Sequence, residues 1–231
     1  MKTKIKKVKQ KVTYLKEYIS TLGKPKVLFV WIPKNAGTSF YEALNASINM
    51  KMFLKLKDVK NKFTNSGSAT FGHISLMALL EQRIIEVDYY EKSFVFCICR
   101  NPYDRFVSLF HYLKKQNRIP ESYNPFDLIT EIVKGIPPVG LYNYKGISQC
   151  NPQVNWIEGV RIDRVLRFEN LNNEAHDLSK ELGFKLKIPH VNQSVDRKDF
   201  YKELDAQTIV LIQQHYKADF ERFNYSMEVD L

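Results

Sequence analysis

The chain has 231 residues, 44% of them hydrophobic, which supports one sizeable core and excludes a mini-protein stapled by disulfides or a metal. Thirty-five Lys and Arg against 25 Asp and Glu leave +10, a balance that points to a polyanionic partner: nucleic acid, an anionic membrane or a phosphorylated ligand. The excess is unevenly placed, because residues 1–26 hold nine Lys, no Arg and one Glu, while the rest of the chain is nearly neutral.

Residues 1–26 are therefore expected to form a basic arm and residues 27–231 a single domain. In the arm Ile5, Val8, Val12, Leu15, Ile19 and Leu22 recur at steps of three and four, the seam of an amphipathic helix, with Gly23 and Pro25 as its stop. The pattern favours a helix that packs its seam on its own domain; a partner helix and a membrane surface are the alternatives. Val27 to Ile32 is a short, continuous β-type run bounded by prolines, the signature of a strand covered on both faces. A tight loop follows over residues 33–39, and Phe40, Leu44 and Ile48 then keep helical spacing.

Residues 51–70, Lys-rich and then polar, read as a mobile surface segment, and Ile74 to Val87 as a helix. Phe94 to Cys99 is a second buried strand with Cys97 and Cys99 on one face. Arg100 and Asn101 follow it, and Pro102 marks the first turn of a helix whose apolar side is Phe106, Leu109, Phe110 and Leu113. Residues 117–155 carry five prolines and read as short helices and loops; Gln153 and Trp156 are candidates for the wall of an acceptor cleft or for a buried support beneath a loop. Ile162 to Phe168 is a third strand, 172–182 a helix and 205–220 a long helix.

Strands alternating with helices predict an α/β fold with a central parallel sheet flanked by helices. Ligands in such folds sit at the carboxyl ends of the strands, where the 33–39 and 100–108 loops both fall. The three cysteines form no CxxC pair, so neither a disulfide framework nor a zinc site is expected, and a reducing compartment fits them. No stretch is long and apolar enough to span a bilayer, and the basic N-terminus has no apolar leader, so a cytoplasmic location is expected.

The 33–39 loop has the chemistry of a phosphate cradle. Gly37 permits close backbone approach, Thr38 and Ser39 supply hydroxyls, and Lys34 supplies a mobile charge beside a helix N-terminus. It is not a Walker A loop, because its lysine precedes the glycine. Arg100 and Ser108 offer a second anion receptor at the same edge. Two such receptors suit a nucleoside with phosphates at both ends.

These stretches resemble the sulfotransferases. Ile32-Pro33-Lys34-Asn35-Ala36-Gly37-Thr38-Ser39 is similar to their 5′-phosphosulfate loop, and the run from Arg100 to Ser108 to their 3′-phosphate motif. The nearest likeness is to the carbohydrate-type branch that includes heparan sulfate 2-O-sulfotransferase and the chondroitin and dermatan enzymes. Phe71-Gly72-His73, Arg167 to Leu171, Pro189 to Ser194 and Tyr216 to Tyr225 fit the same branch in the same order. The likeness spans residues 27 to 225 and implies that 27–231 is a sulfotransferase domain of P-loop-like, three-layer α/β fold.

The resemblance implies 3′-phosphoadenosine 5′-phosphosulfate as donor, without a metal. It implies that Asn35, Ala36, Gly37, Thr38 and Ser39 hold the 5′-phosphosulfate, mostly through backbone amides, and that Arg100, Ser108 and Arg197 hold the 3′-phosphate. Lys34 matches the catalytic lysine and His73 the base that deprotonates a hydroxyl acceptor, a sugar in this branch. Glu169 and His190 are expected in supporting rather than basic roles. A nucleotide kinase lacks its Walker lysine here, and a specific nucleic-acid binder lacks a base-reading motif.

Overall fold

The computed structural model describes residues 2–136, 147–188 and 202–229. Its centre is a five-stranded, wholly parallel sheet: β1 (Val27–Val30), β2 (Lys51–Met52), β3 (Ala69–Thr70), β4 (Phe94–Cys99) and β5 (Arg164–Arg167), in spatial order β2-β3-β1-β4-β5. The chain runs from β1 to the strands on one side and then crosses to β4 and β5 on the other. Such a reversal leaves a crevice at the carboxyl ends of the two strands that flank it.

Strand alternation gives the sheet two apolar faces. Val27, Phe29, Phe96, Ile98 and Leu166 pack on α2 (Gly37–Ile48) and α8 (Leu171–Leu182), through Phe40, Leu44, Ala175 and Leu178. Leu28, Val30, Val95, Cys97 and Cys99 face α4 (Leu76–Glu81) and α5 (Val87–Glu91), which follow α3 (Leu56–Lys62). This is the expected three-layer α/β architecture. The two thiols share one buried face, where loss of solvation pushes Cys99 up to about 11 and makes it inert.

A further cluster joins α6 (Pro102–Lys115), α7 (Pro125–Val133), α9 (Ala206–His215) and α10 (Lys217–Phe223) around Phe106, Phe110, Leu128, Ile212 and Phe220. Pro102 stands at the first turn of α6, and the Asn101 side chain caps it by accepting from the Tyr103 N–H at 2.9 Å. The predicted 205–220 helix breaks at Tyr216 into α9 and α10. The 74–87 helix breaks likewise, where Arg83 turns to φ 53°.

Residues 51–70 correct the reading of a surface segment. They supply β2, α3 and β3, with Phe53 and Val59 buried and Phe63 edge-on to Tyr89 at 5.1 Å. Two-residue strands carry too few positions for a periodic signal.

The arm forms α1 (Lys2–Thr21), and Gly23 beyond it is left-handed at φ 74°, as a helix stop requires. Its seam does not pack on the domain: Val8, Val12, Leu15, Ile19 and Leu22 are 48–61% exposed. The helix rests on the domain by another face, through Tyr14, which donates to the Thr64 carbonyl, and Thr21, whose methyl lies against Gly67.

Candidate active site

Two loops leave the adjacent carboxyl ends of β1 and β4, which pair Val30 with Cys97. In the first, Lys34 and Ala36 are left-handed, at φ 70° and 58°, on either side of Asn35. Alternation of this kind turns successive N–H groups inward and makes an anion receptor. Ala36 is the N-cap of α2 and provides no capping side chain, so none takes up the helix's first N–H groups. Gly37 sits under the Trp31 indole, where a Cβ would fall 1.9 Å from Nε1. Only glycine allows the ring to lie this close to the helix start. Thr38 is exposed and Ser39 half-buried in the first turn.

Lys34 extends over the Tyr112 ring, with Nζ 4.1 Å from its centroid. Burial, together with the charges of Arg100 and Arg105, lowers its pKa to about 8. Arg100 is buried, donates to the Lys34 carbonyl at 3.3 Å and lies on the Phe168 ring at 4.1 Å. Arg105, fully buried, donates to the carbonyls of Pro33, Asn151 and Gln149 at 3.1, 3.0 and 2.9 Å. It therefore ties the donor loop to the 149–151 turn while adding a third positive charge. The 105, 108 and 112 positions form one helical stripe on α6. Ser108, half-buried, lies on this stripe between Arg105, which touches Pro33, and Tyr112, which touches Lys34.

A buried polar junction joins the two loops. Gln153 Oε1 accepts from Asn35 Nδ2 at 2.7 Å and from the Arg100 N–H at 3.0 Å, while Gln153 Nε2 donates to the Arg100 carbonyl at 2.9 Å. Asn35 Nδ2 also donates to the Ile98 carbonyl at 2.6 Å. Asp219 of α10 holds the junction from behind, accepting from the N–H groups of Gln153 and Val154 at 2.8 and 2.9 Å. The Asn35 side chain thus points into the protein, and only its backbone remains for an anion. Gln153 and Trp156 are buried at 0% and 1% exposure, so they support the loops and do not line a cleft.

His73 follows β3 and meets Trp31 twice. Its ring is edge-on to the indole at 5.5 Å, and Nδ1 lies 3.1 Å from the Trp31 carbonyl. A carbonyl only accepts, so Nδ1 carries the hydrogen and the neutral ring keeps its lone pair on Nε2. Burial, followed by the charges of Arg105 and Lys34, outweighs the carbonyl bond and lowers the pKa to about 4. Between pH 6.5 and about 4 the unfolded chain takes a proton here that the folded chain refuses, so stability is lost as the pH is lowered through that window. His73→Gln is expected to reduce the fall in Tm between these limits. His215, also lowered by burial, keeps part of it in both proteins.

Glu169 has a supporting place: Oε1 accepts from the Asn101 N–H at 2.7 Å and Oε2 from the Tyr225 hydroxyl at 2.8 Å. Arg197 and His190 lie outside the described residues. Among the described residues no group of three or more His, Cys, Asp or Glu is placed to hold a metal ion.

A profile described as "Sulfotransferase family" matches residues 18–226. The chain belongs to the sulfotransferase family. As such it is a transferase of sulfuryl groups to hydroxyl-bearing acceptors. Among solved structures it is similar to a sulfotransferase from Alicyclobacillus acidocaldarius, at 16% identity over 88% of this chain and 100% of that one, with a TM-score of 0.46. It is also similar to mouse sulfotransferase SULT7A1 complexed with PAP, at 14% identity over 85% of this chain and 66% of that one, again with a TM-score of 0.46. No curated protein matches.

In this sulfotransferase the structure adds Arg105, Asp219 and Trp31 to the residues expected at the site, and moves Gln153 from a candidate cleft wall to the buried junction. Arg105 and Asp219 stand inside stretches already singled out, but their partners lie 44 to 72 residues away in sequence, beyond any local spacing rule.

Proposed function

We propose that the protein moves the sulfuryl group of 3′-phosphoadenosine 5′-phosphosulfate to a carbohydrate hydroxyl. The observation that carries this reading is the group of Lys34, Arg100 and Arg105 at the joined ends of β1 and β4, where burial first and then the neighbouring positive charges hold Lys34 at about 8. A dianionic ligand relieves the repulsion among those charges. The N–H groups of residues 35–39 with the Thr38 and Ser39 hydroxyls take the 5′ end, and Arg100, Ser108 and Arg197 take the 3′-phosphate. The sugar acceptor rests on the likeness of the six sequence stretches to the carbohydrate branch.

The transfer is in line. A bond forms between the acceptor oxygen and sulfur as the bond from sulfur to the bridging phosphate oxygen breaks, and the electron pair leaves on that oxygen. Lys34, still mainly protonated at neutral pH, meets the growing charge in the transition state. Neutral His73 receives the acceptor proton on Nε2. Bound donor phosphates raise the pKa values of both groups, which makes His73 a stronger base in the complex than in the free protein.

Adenosine 3′,5′-bisphosphate at about 100 times its Kd is expected to stabilise the fold by about 2.7 kcal/mol, raising Tm by roughly 5–10 °C. AMP at the same concentration should do far less, and equal shifts would exclude two phosphate receptors. Transfer of radiolabelled sulfate to a panel of sugars, lipids and phenols tests the acceptor; labelling confined to phenols would overturn the carbohydrate assignment.

A further inference from the structure

α1 leaves an apolar seam in water, and the placement of its charges restricts what can cover it. Tyr14 and Thr21, seven residues apart and so on one side of the helix, meet the domain at Thr64 and Gly67. At 100° per residue the seam centred on Val12, Leu15 and Ile19 lies nearly opposite them. Val8, Val12, Leu15, Ile19 and Leu22 accordingly point away from the body and are 48–61% exposed.

With Val12 and Ile19 at the a positions of a heptad, Lys11 falls at g and Lys16 at e. A second copy of the helix in parallel register would set Lys11 against Lys16, and an antiparallel one would again oppose lysines. Like charges at these positions work against self-association. Residues 2–21 hold seven Lys and one Glu, a positive balance that a planar anionic field can meet along the helix. Nucleic acid offers charge but no apolar layer. An anionic bilayer surface offers both, along the whole 20-residue helix, with lysines on either edge of the seam extending to the headgroups.

We propose that α1 is a membrane-surface anchor, lying in the interface of an anionic lipid leaflet with its aliphatic seam inserted and its lysines among the headgroups. Among the described residues no helix is long and apolar enough to cross a membrane, and this one, at mixed polarity, lies along the surface. The attachment brings the catalytic domain to acceptors displayed at a lipid surface. It is independent of the assigned reaction, since it is read without donor or acceptor.

Flotation of the full chain with vesicles tests it. The chain is expected to float with phosphatidylcholine vesicles containing about 30% phosphatidylserine, to stay behind with pure phosphatidylcholine, and to be released by about 0.5 M NaCl. Lys11→Gln with Lys16→Gln should weaken partitioning about thirtyfold, at about fivefold per lysine. Leu15→Ser with Ile19→Ser should weaken it by at least tenfold while the shift in Tm with adenosine 3′,5′-bisphosphate stays as in the parent, showing an intact domain. Equal binding to neutral and anionic vesicles, or unchanged flotation of the seam variant, would overturn the proposal. So would a lipid-free dimer that Leu15→Ser dissociates, which gives the seam to a second copy. Tight binding of a helical peptide with glutamates at its e and g positions, by a chain that ignores anionic vesicles, would give it to a protein partner.

Discussion

Alanine in place of Lys34 is expected to cut sulfuryl transfer about 100- to 1,000-fold, the usual cost of losing one group that meets charge only in the transition state. Donor affinity should fall far less than turnover, because in the proposed reading the phosphates go chiefly to backbone N–H groups and to the Arg100 side of the site. Arg100→Ala should show the opposite division, with affinity for adenosine 3′,5′-bisphosphate weakened about tenfold or more for the lost charged hydrogen bonds. Stability separates catalysis from folding. The folded pKa of Lys34 is about 8 against 10.5 for a free lysine, so between those values the unfolded chain holds a proton that the folded chain has released. Stability gained from this site therefore rises with pH across that window, and at neutral pH the buried charge is a cost. Lys34→Ala should thus hold or raise Tm near pH 7 while turnover falls. Turnover within a fewfold of the parent would remove Lys34 from the mechanism.

The second large effect is expected at a residue that touches no substrate. Gln153→Leu keeps the side chain's bulk but removes the acceptor shared by Asn35 and the Arg100 N–H, and the donor to the Arg100 carbonyl. At about 1–3 kcal/mol for each buried polar group left unsatisfied, the loss is at least about 3 kcal/mol, or roughly 6–12 °C in Tm. Because the same side chain holds the β1 and β4 loops together, affinity for adenosine 3′,5′-bisphosphate should weaken in parallel. Thermal melts with and without ligand measure both quantities. A Tm within two degrees of the parent, or normal ligand affinity in a destabilised protein, would show that the junction does not set the geometry of the site.

The legibility of this chain varied with the range of the interactions involved. Val27–Val30 and Phe94–Cys99 were readable because strands buried on both faces are continuous apolar runs between turn residues. The helices after them were readable from Pro102 and from the spacing of Phe40, Leu44 and Ile48. The strands Lys51–Met52 and Ala69–Thr70 were not, since two residues of polar or small character acquire strand geometry only from the neighbours they pair with. The breaks at Arg83 and Tyr216 were equally hidden, being imposed by packing on continuous periodic patterns.

The same division holds at the site. Residue type and local order sufficed to single out Lys34, Gly37 and Arg100, because a phosphate cradle needs small residues, donors and a cation at a helix start, whereas His73 was singled out only by the family resemblance. Asn35 shows the limit. It stands in the cradle in sequence, yet its side chain turns into the junction with Gln153. Nothing within a few residues of Gln153 indicates that it would meet residues 35 and 100, because that meeting depends on which strands lie side by side.

By itself, then, the sequence determined the two central strands and the helices that follow them, the chemistry of an anion cradle in two loops and the charge and periodicity of α1, since these depend on backbone preference and side-chain chemistry over a few residues. Only the tertiary structure decided that the two loops emerge from neighbouring strands, that Arg105 and Gln153 tie them together, and that the α1 seam faces away from the domain. Those outcomes follow from sheet order and burial. They set the dielectric around Lys34 and His73 and move both pKa values down, which residue identity alone does not specify.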